Sequence, residues 1–272
     1  MEKFNLWPEG TAPLMLPEVP ADCLENLEPT ICYYPAENKI TKATVVIYAG
    51  GGYSHRAKHE GEGYALYLNE CGMDAFVVNY RVRPYRFPVE LLDARRGVRF
   101  VRANAEKFGI DPTRVAVMGS SAGGHLAALV SAYRGEIDGE GVDEIDEICP
   151  IPDLQVLCYP VLDMEGHVGS YRALLGDNIK DWRQVTPRLI AGKDTPACFM
   201  WHCEGDKVVD VMNTLRYSMR LVELGVSQEC HIYPHGSHGI GLVNEERFAA
   251  HTYMRSWYKQ LLEWFKLNGF FD

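Results

Sequence analysis

Residues 114–133 constrain the fold of this chain more than any other stretch. Arg114-Val115-Ala116-Val117-Met118 is a short apolar run that suits a buried strand, and residues 122–133 are rich in Ala and Leu with no Pro, which suits a helix. Between them stands Gly119-Ser120-Ser121-Ala122-Gly123, a G-x-S-x-G pattern. On a sharp turn from strand to helix, a serine is forced into a strained backbone conformation with its hydroxyl exposed. Glycines flank it because strand and helix pass too close there for a Cβ. Ser121 is the candidate nucleophile, and Ser120 fills the variable position. The pattern also occurs by chance in unrelated chains, so its surroundings decide.

Those surroundings alternate. β-rich runs at 31–34, 43–48, 74–80, 154–159, 197–202 and 228–233 are separated by helical patterns at 63–71, from 89 to 108, at 211–224 and over the aromatic C-terminal stretch. Strands that are continuous apolar runs, separated by helices, predict a mostly parallel, doubly wound α/β sheet covered on both faces. Residues 1–27 are rich in Pro and Glu and read as an irregular arm, leaving 28–272 as one domain. The acidic, Gly-containing segment 135–149 reads as an exposed loop, and 165–195, with Trp182, as a small lid. The closing helix carries Phe248, Tyr253, Trp257, Trp264 and Phe265, which serve either the core or a homodimer interface.

Bulk properties narrow the partners. A net charge of −10 argues against nucleic acid and anionic membrane surfaces. No run of about 18 apolar residues is present to span a bilayer. The first residues lack the apolar and small-residue segments of a secretory signal. The eight cysteines are scattered, with no C-x-x-C pair, and read as free thiols in a reducing, cytoplasmic compartment rather than as disulfides or a zinc site.

A serine nucleophile needs a base, an acid to orient the base, and donors for a developing oxyanion. Each has a candidate. His238 follows the 228–233 strand in Pro234-His235-Gly236-Ser237-His238-Gly239, with His235 as its competitor. Asp206 follows the 197–202 strand, with Glu204, Asp210 and Asp163 as rivals. Ala49-Gly50-Gly51-Gly52-Tyr53 follows the 43–48 strand, and its glycines let backbone N–H groups converge on one point. Gly51, Gly52 and Ala122 are the expected oxyanion donors. Phosphate binding by the glycine loop is disfavoured, because no G-x-x-x-x-G-K-[ST] is present. Tyr53, His55, Tyr159 and Trp182 are candidates for pocket walls. His125 and His202 read as packed core groups, and no metal site is expected.

The Gly50-Gly51-Gly52-Tyr53 loop, Tyr80-Arg81 ahead of a Pro-rich turn, Gly119-Ser120-Ser121-Ala122-Gly123-Gly124, Gly205-Asp206 and His238-Gly239 together resemble the α/β-hydrolase fold. They are most similar to its esterase branch related to the hormone-sensitive lipases, in the acetyl-esterase or acetyl-xylan-esterase-like subgroup. The resemblance covers residue 30 to the C-terminus. It implies hydrolysis of short-chain, chiefly acetyl, carboxylic esters through an acyl-serine intermediate, with no cofactor and with Ser121, Asp206 and His238 as the triad. Acetylated sugars or xylo-oligosaccharides would be the substrates. Three departures stand out: Ala49 replaces the usual His before the glycines, no N-terminal helical cap is expected, and Ser120 stands where Asp or Glu is common. A peptidase, a small amidase of the arylformamidase kind, and a non-catalytic binding protein are the alternatives on the same fold.

Overall fold

The structure, a computed structural model, describes residues 1–20, 28–244 and 246–271. Its frame is one sheet in the order β1-β2-β4-β3-β5-β6-β7-β8. These strands are β1 (Glu2–Asn5), β2 (Thr30–Tyr34), β3 (Thr44–Tyr48), β4 (Asp74–Asn79), β5 (Val115–Ser120), β6 (Leu154–Cys158), β7 (Ala197–Cys203) and β8 (Gln228–Tyr233). From β4 to β8 across the sheet every neighbour is parallel, whereas β2 runs antiparallel to both β4 and β1. The helices are α1 (Lys58–Glu70), α2 (Val89–Ala103), α3 (Ala105–Phe108), α4 (Ser121–Ala132), α5 (Val168–Leu175), α6 (Pro187–Ile190), α7 (Met212–Leu224) and α8 (Ser256–Leu267).

Alternation along each strand feeds two cores. Val46, Tyr48, Phe76, Val78 and Val117 point to one face, where Leu92 of α2, Leu126 of α4 and Tyr217 of α7 cover them. Val45, Ile47, Val77, Met118 and Trp201 point to the other, under Tyr64 and Leu68 of α1 and Trp257, Leu261 and Trp264 of α8. Trp257, Trp264 and Phe265 of α8 are core, with Trp257 stacked on Trp201 at 4.9 Å between ring centroids, whereas Tyr253, ahead of α8, is exposed. The side chain of Phe248 lies outside the described residues.

Two expectations need correction. The first residues are not wholly irregular. Residues Glu2–Asn5 form an edge strand on β2, and Leu6 and Trp7 are buried in the core. Trp7 donates its indole N–H to Asp93 at 2.9 Å, which ties the segment to α2. Residues 21–27 of the expected arm lie outside the described residues. Nor is the acidic loop 135–149 simply exposed. Its Glu140, Asp143 and Asp146 pair with Arg95, Arg96 and Arg99 of α2, whose guanidiniums are nearly buried. A helix carrying three inward arginines needs carboxylates laid over it, because an unpaired buried charge is costly.

Between β6 and β7 the chain forms α5, a 3-10 stretch over Gly176–Val185, and α6. These pack on the α4 face through Leu174, Leu175 and Val185. Among the described residues no helix is long and apolar enough to cross a membrane.

Candidate active site

The chain leaves β3 toward β4 on one side and reaches β5 on the other, so the strand order diverges between β3 and β5. In open α/β sheets such a divergence opens a crevice at the carboxyl ends of the strands. Tyr48 of β3 pairs with Gly119 of β5, so the glycine loop and the serine turn emerge side by side.

Ser121 starts α4 with φ of +54°, a left-handed value that strains a side chain bearing a Cβ. The turn is as tight as the glycines predict. A Cβ on Gly119 would strike the Gly123 carbonyl, and one on Gly123 would strike the Tyr48 carbonyl. The Ser121 Oγ lies 2.8 Å from His238 Nε2, and His238 Nδ1 lies 2.7 Å from Asp206 Oδ2. A carboxylate only accepts, so the proton sits on Nδ1 and Nε2 is free to accept from the serine hydroxyl. Asp206 Oδ1 accepts from the Val208 and Val209 amides at 2.8 and 3.0 Å. Burial alone would raise the Asp206 pKa, but hydrogen bonds from His202 and His238 outweigh it and hold the group well below the usual carboxylate range. The Asp206 side chain is fully buried, whereas His238 keeps 16% of its side chain exposed. Solvent therefore reaches the base but not its orienting acid.

The competitors fall elsewhere. His235 is exposed in the loop. Asp163 is ion-paired to Arg188 at 2.6 Å. Asp210 is exposed and accepts from the Met212 amide at 2.8 Å, and Glu204 is exposed. His125 is a core group, as its helix position suggests, bonded to Tyr53 Oη at 2.6 Å and the Val185 carbonyl at 2.7 Å, with burial pushing its pKa down to about 4.

Gly51 and Gly52 have φ of +131° and +63°. Their amides, unlike that of Gly50, donate to nothing among the described residues. The Ala122 amide is in the first turn of α4, where helical N–H groups have no partner within the helix. Ala122 follows Ser121 directly, and a Cβ on Gly50, the residue before the two glycines, would lie 3.1 Å from that of Ser121.

The expected pocket walls are placed differently. Tyr53 and Tyr159 are fully buried, with positive φ values of 60° and 36°. Tyr53 is inside the core against His125, and Tyr159 lies beneath the triad, its ring 5.2 Å from that of His238 at 69°. His55 is exposed beside Gly51. Trp182 is partly buried in the insertion under Arg183, and no contact with the triad is seen.

Several residues to which the sequence pattern assigns no catalytic role lie beside the triad. His202 is wholly buried and lies 3.2 Å from Asp206 Oδ2, with its Nδ1 fixed by Thr214 Oγ1 at 2.8 Å. It serves the acid as well as the core. His167, in the insertion, caps α5 by accepting from the Ser170 amide at 3.2 Å, and its pKa is lowered by burial, with the charge of His238 adding to the shift. The Ser120 hydroxyl points inward to Tyr64 Oη at 2.7 Å, so the variable position faces the core and not a substrate. Among the described residues no cluster of His, Cys, Asp and Glu is able to hold a metal ion.

A doubly wound sheet with a serine, a histidine and an aspartate joined in series at its carboxyl edge defines an α/β-hydrolase. A family model described as BD-FAE matches residues 31–221, and the chain belongs to that family. The acetyl ester-xyloside bifunctional hydrolase from Caldicellulosiruptor lactoaceticus superposes with a TM-score of 0.89 at 38% identity, covering 100% of this chain and 97% of that one. Endo-1,4-beta-xylanase B of Butyrivibrio fibrisolvens is 32% identical over 90% of this chain and 39% of its own length. Acetylxylan esterase of Xylanibacter ruminicola is 32% identical over 78% of this chain and 43% of its own length. The chain thus spans less than half the length of these two curated relatives.

Proposed function

We propose that the protein is a serine esterase that removes short acyl groups, chiefly acetyl, from sugar esters such as acetylated xylo-oligosaccharides. The observation that carries this reading is the unbroken series Ser121–His238–Asp206 near glycine amides that donate to nothing among the described residues. The printed names of the similar acetyl ester-xyloside hydrolase and acetylxylan esterase support the acetyl and xylose chemistry.

In this reading His238 takes the hydroxyl proton of Ser121 as Oγ attacks the ester carbonyl. Asp206 holds the imidazole tautomer and stabilises the imidazolium. The amides of Gly51, Gly52 and Ala122 donate to the tetrahedral oxyanion, where one such donor is worth about 3–4 kcal/mol of barrier. His238 then protonates the leaving alcohol and activates the water that releases the acid. In this reading the insertion over 165–195 serves as a small lid beside the cleft. The free thiols of Cys158, Cys198 and Cys203 support a reducing, cytoplasmic setting.

The test is hydrolysis of p-nitrophenyl acetate, butyrate and octanoate, with acetylated xylo-oligosaccharide alongside, by the wild type and Ser121→Ala. Acetate cleaved fastest, sugar deacetylated, and both lost in the variant is the expected result. Turnover unchanged by the substitution would overturn the site assignment.

A further inference from the structure

Glu60 is a buried carboxylate in the first turn of α1 that the triad chemistry does not use; it is 3% exposed. Its Oε2 accepts from the Gly50 amide at 2.9 Å, and its Oε1 accepts from Tyr159 Oη at 2.8 Å. That phenol in turn accepts from the Gly241 amide at 3.0 Å, beyond His238 in the base loop. It also lies 3.3 Å from Tyr64 Oη, which binds Ser120 beside the nucleophile. The neighbouring His59 reaches the same base loop, bonding the Gly239 carbonyl at 2.9 Å. One turn of helix therefore ties together the glycine loop, the serine turn and the histidine loop, which come from three different strands.

We propose that Glu60 is a positioning residue: by holding the Gly50 amide on one oxygen and Tyr159 on the other, it fixes the glycine loop relative to Ser121 and His238. The proposal rests on the esterase reading above. Consuming the Gly50 N–H in the carboxylate turns that amide away from substrate and leaves the next two amides as donors. Gly50 has no room to drift, because a Cβ there would meet the Ser120 carbonyl at 2.7 Å as well as Glu60 itself. On the far side, the Tyr159 ring supports the His238 imidazole while its hydroxyl anchors the loop that carries it. An oxyanion site acts through donors that are already in place before the reaction, so a loosened loop lowers the rate of the chemical step more than it weakens substrate binding.

The experiment compares wild type, Glu60→Ala, Glu60→Gln and, as a control on the same helix, Glu62→Gln. It reads kcat and KM for p-nitrophenyl acetate, and the rate at which a fluorophosphonate labels Ser121. Glu60→Ala is expected to lose kcat by about 100-fold, with KM within about threefold of wild type. Glu60→Gln is expected to recover to within about tenfold, because its carbonyl accepts from Gly50 and its amide donates to Tyr159. Labelling rates should follow kcat, and Glu62→Gln should match wild type. A folded Glu60→Ala protein with unchanged kcat, or with the loss confined to KM, would overturn the proposal. If Glu60→Ala does not fold, Glu60→Asp carries the test. It keeps the charge but is too short to reach both partners, so kcat should fall at constant KM, and unchanged kcat would refute the role. A wild type that neither labels nor turns over would overturn the esterase reading itself, and this proposal with it.

Discussion

Glu90 gives the sharpest test of the packing described for this fold. It lies in the first turn of α2, is fully buried, and neither carboxyl oxygen has a hydrogen-bond partner among the described residues. Burial pushes its pKa up to about 8, with the Asp93 carboxylate adding to the shift and Arg81 and Arg86 opposing it. In the unfolded chain the group titrates near 4.3. Below that value it is protonated in both states and its burial carries no ionisation cost. As the pH rises, the unfolded state ionises first, so stability is lost progressively until the folded carboxyl also ionises near pH 8. At about 1.4 kcal/mol per pH unit, the loss is about 1 kcal/mol at pH 5, about 3.6 at pH 7 and about 5 at pH 9.

Glu90→Gln is nearly isosteric and does not titrate. Its unfolding free energy should match that of the wild type at low pH and exceed it by a margin that grows between pH 5 and 9. Urea unfolding of both proteins at pH 5, 7 and 9 measures that margin, and every other titrating group cancels in the difference. A difference that stays constant across this range would refute the reasoning, since it would mean that Glu90 is ionised in the folded protein.

His202→Leu should lower kcat for p-nitrophenyl acetate about tenfold and unfolding stability by about 1–3 kcal/mol, because Asp206 loses a donor and Thr214 a buried partner. Unchanged kcat would show that His202 serves the core alone. Gly123→Ala forces a methyl group into the Tyr48 carbonyl, so esterase activity and the midpoint of thermal unfolding should both fall. A fully active Gly123→Ala protein would contradict the close approach of α4 to β3.

Much of the fold was legible because a doubly covered parallel sheet writes itself as continuous apolar runs, and β3 to β8 lie where those runs lie. The triad residues were legible for a related reason: each follows such a run directly, and little but a loop separates Asp206 from β7 or His238 from β8. The edge strand β1 was not, since four residues with one apolar side chain carry too short a pattern. Its place depends on Trp7 and Leu6 finding a distant core. Tyr53 and Tyr159, candidates for pocket walls, instead lie in the core. Their positive φ values turn them inward, and sequence does not reveal that for a tyrosine. The acidic loop looked solvated because its partners, the arginines of α2, are some 40 residues or more upstream. Glu60 was hidden for the same reason, as its partner Tyr159 lies 99 residues further along the chain. His202 reads as a core group from sequence, and its contact with Asp206, only four residues on, depends on how the loop after β7 folds back.

The most direct test of the central claim is to quench the protein during turnover of p-nitrophenyl acetate and map the acylated peptide by mass spectrometry. The account predicts one acetyl group, on the peptide containing Ser121, appearing in step with the first release of p-nitrophenol. Acetate release with no covalent adduct at Ser121, or an adduct on another residue, would contradict it.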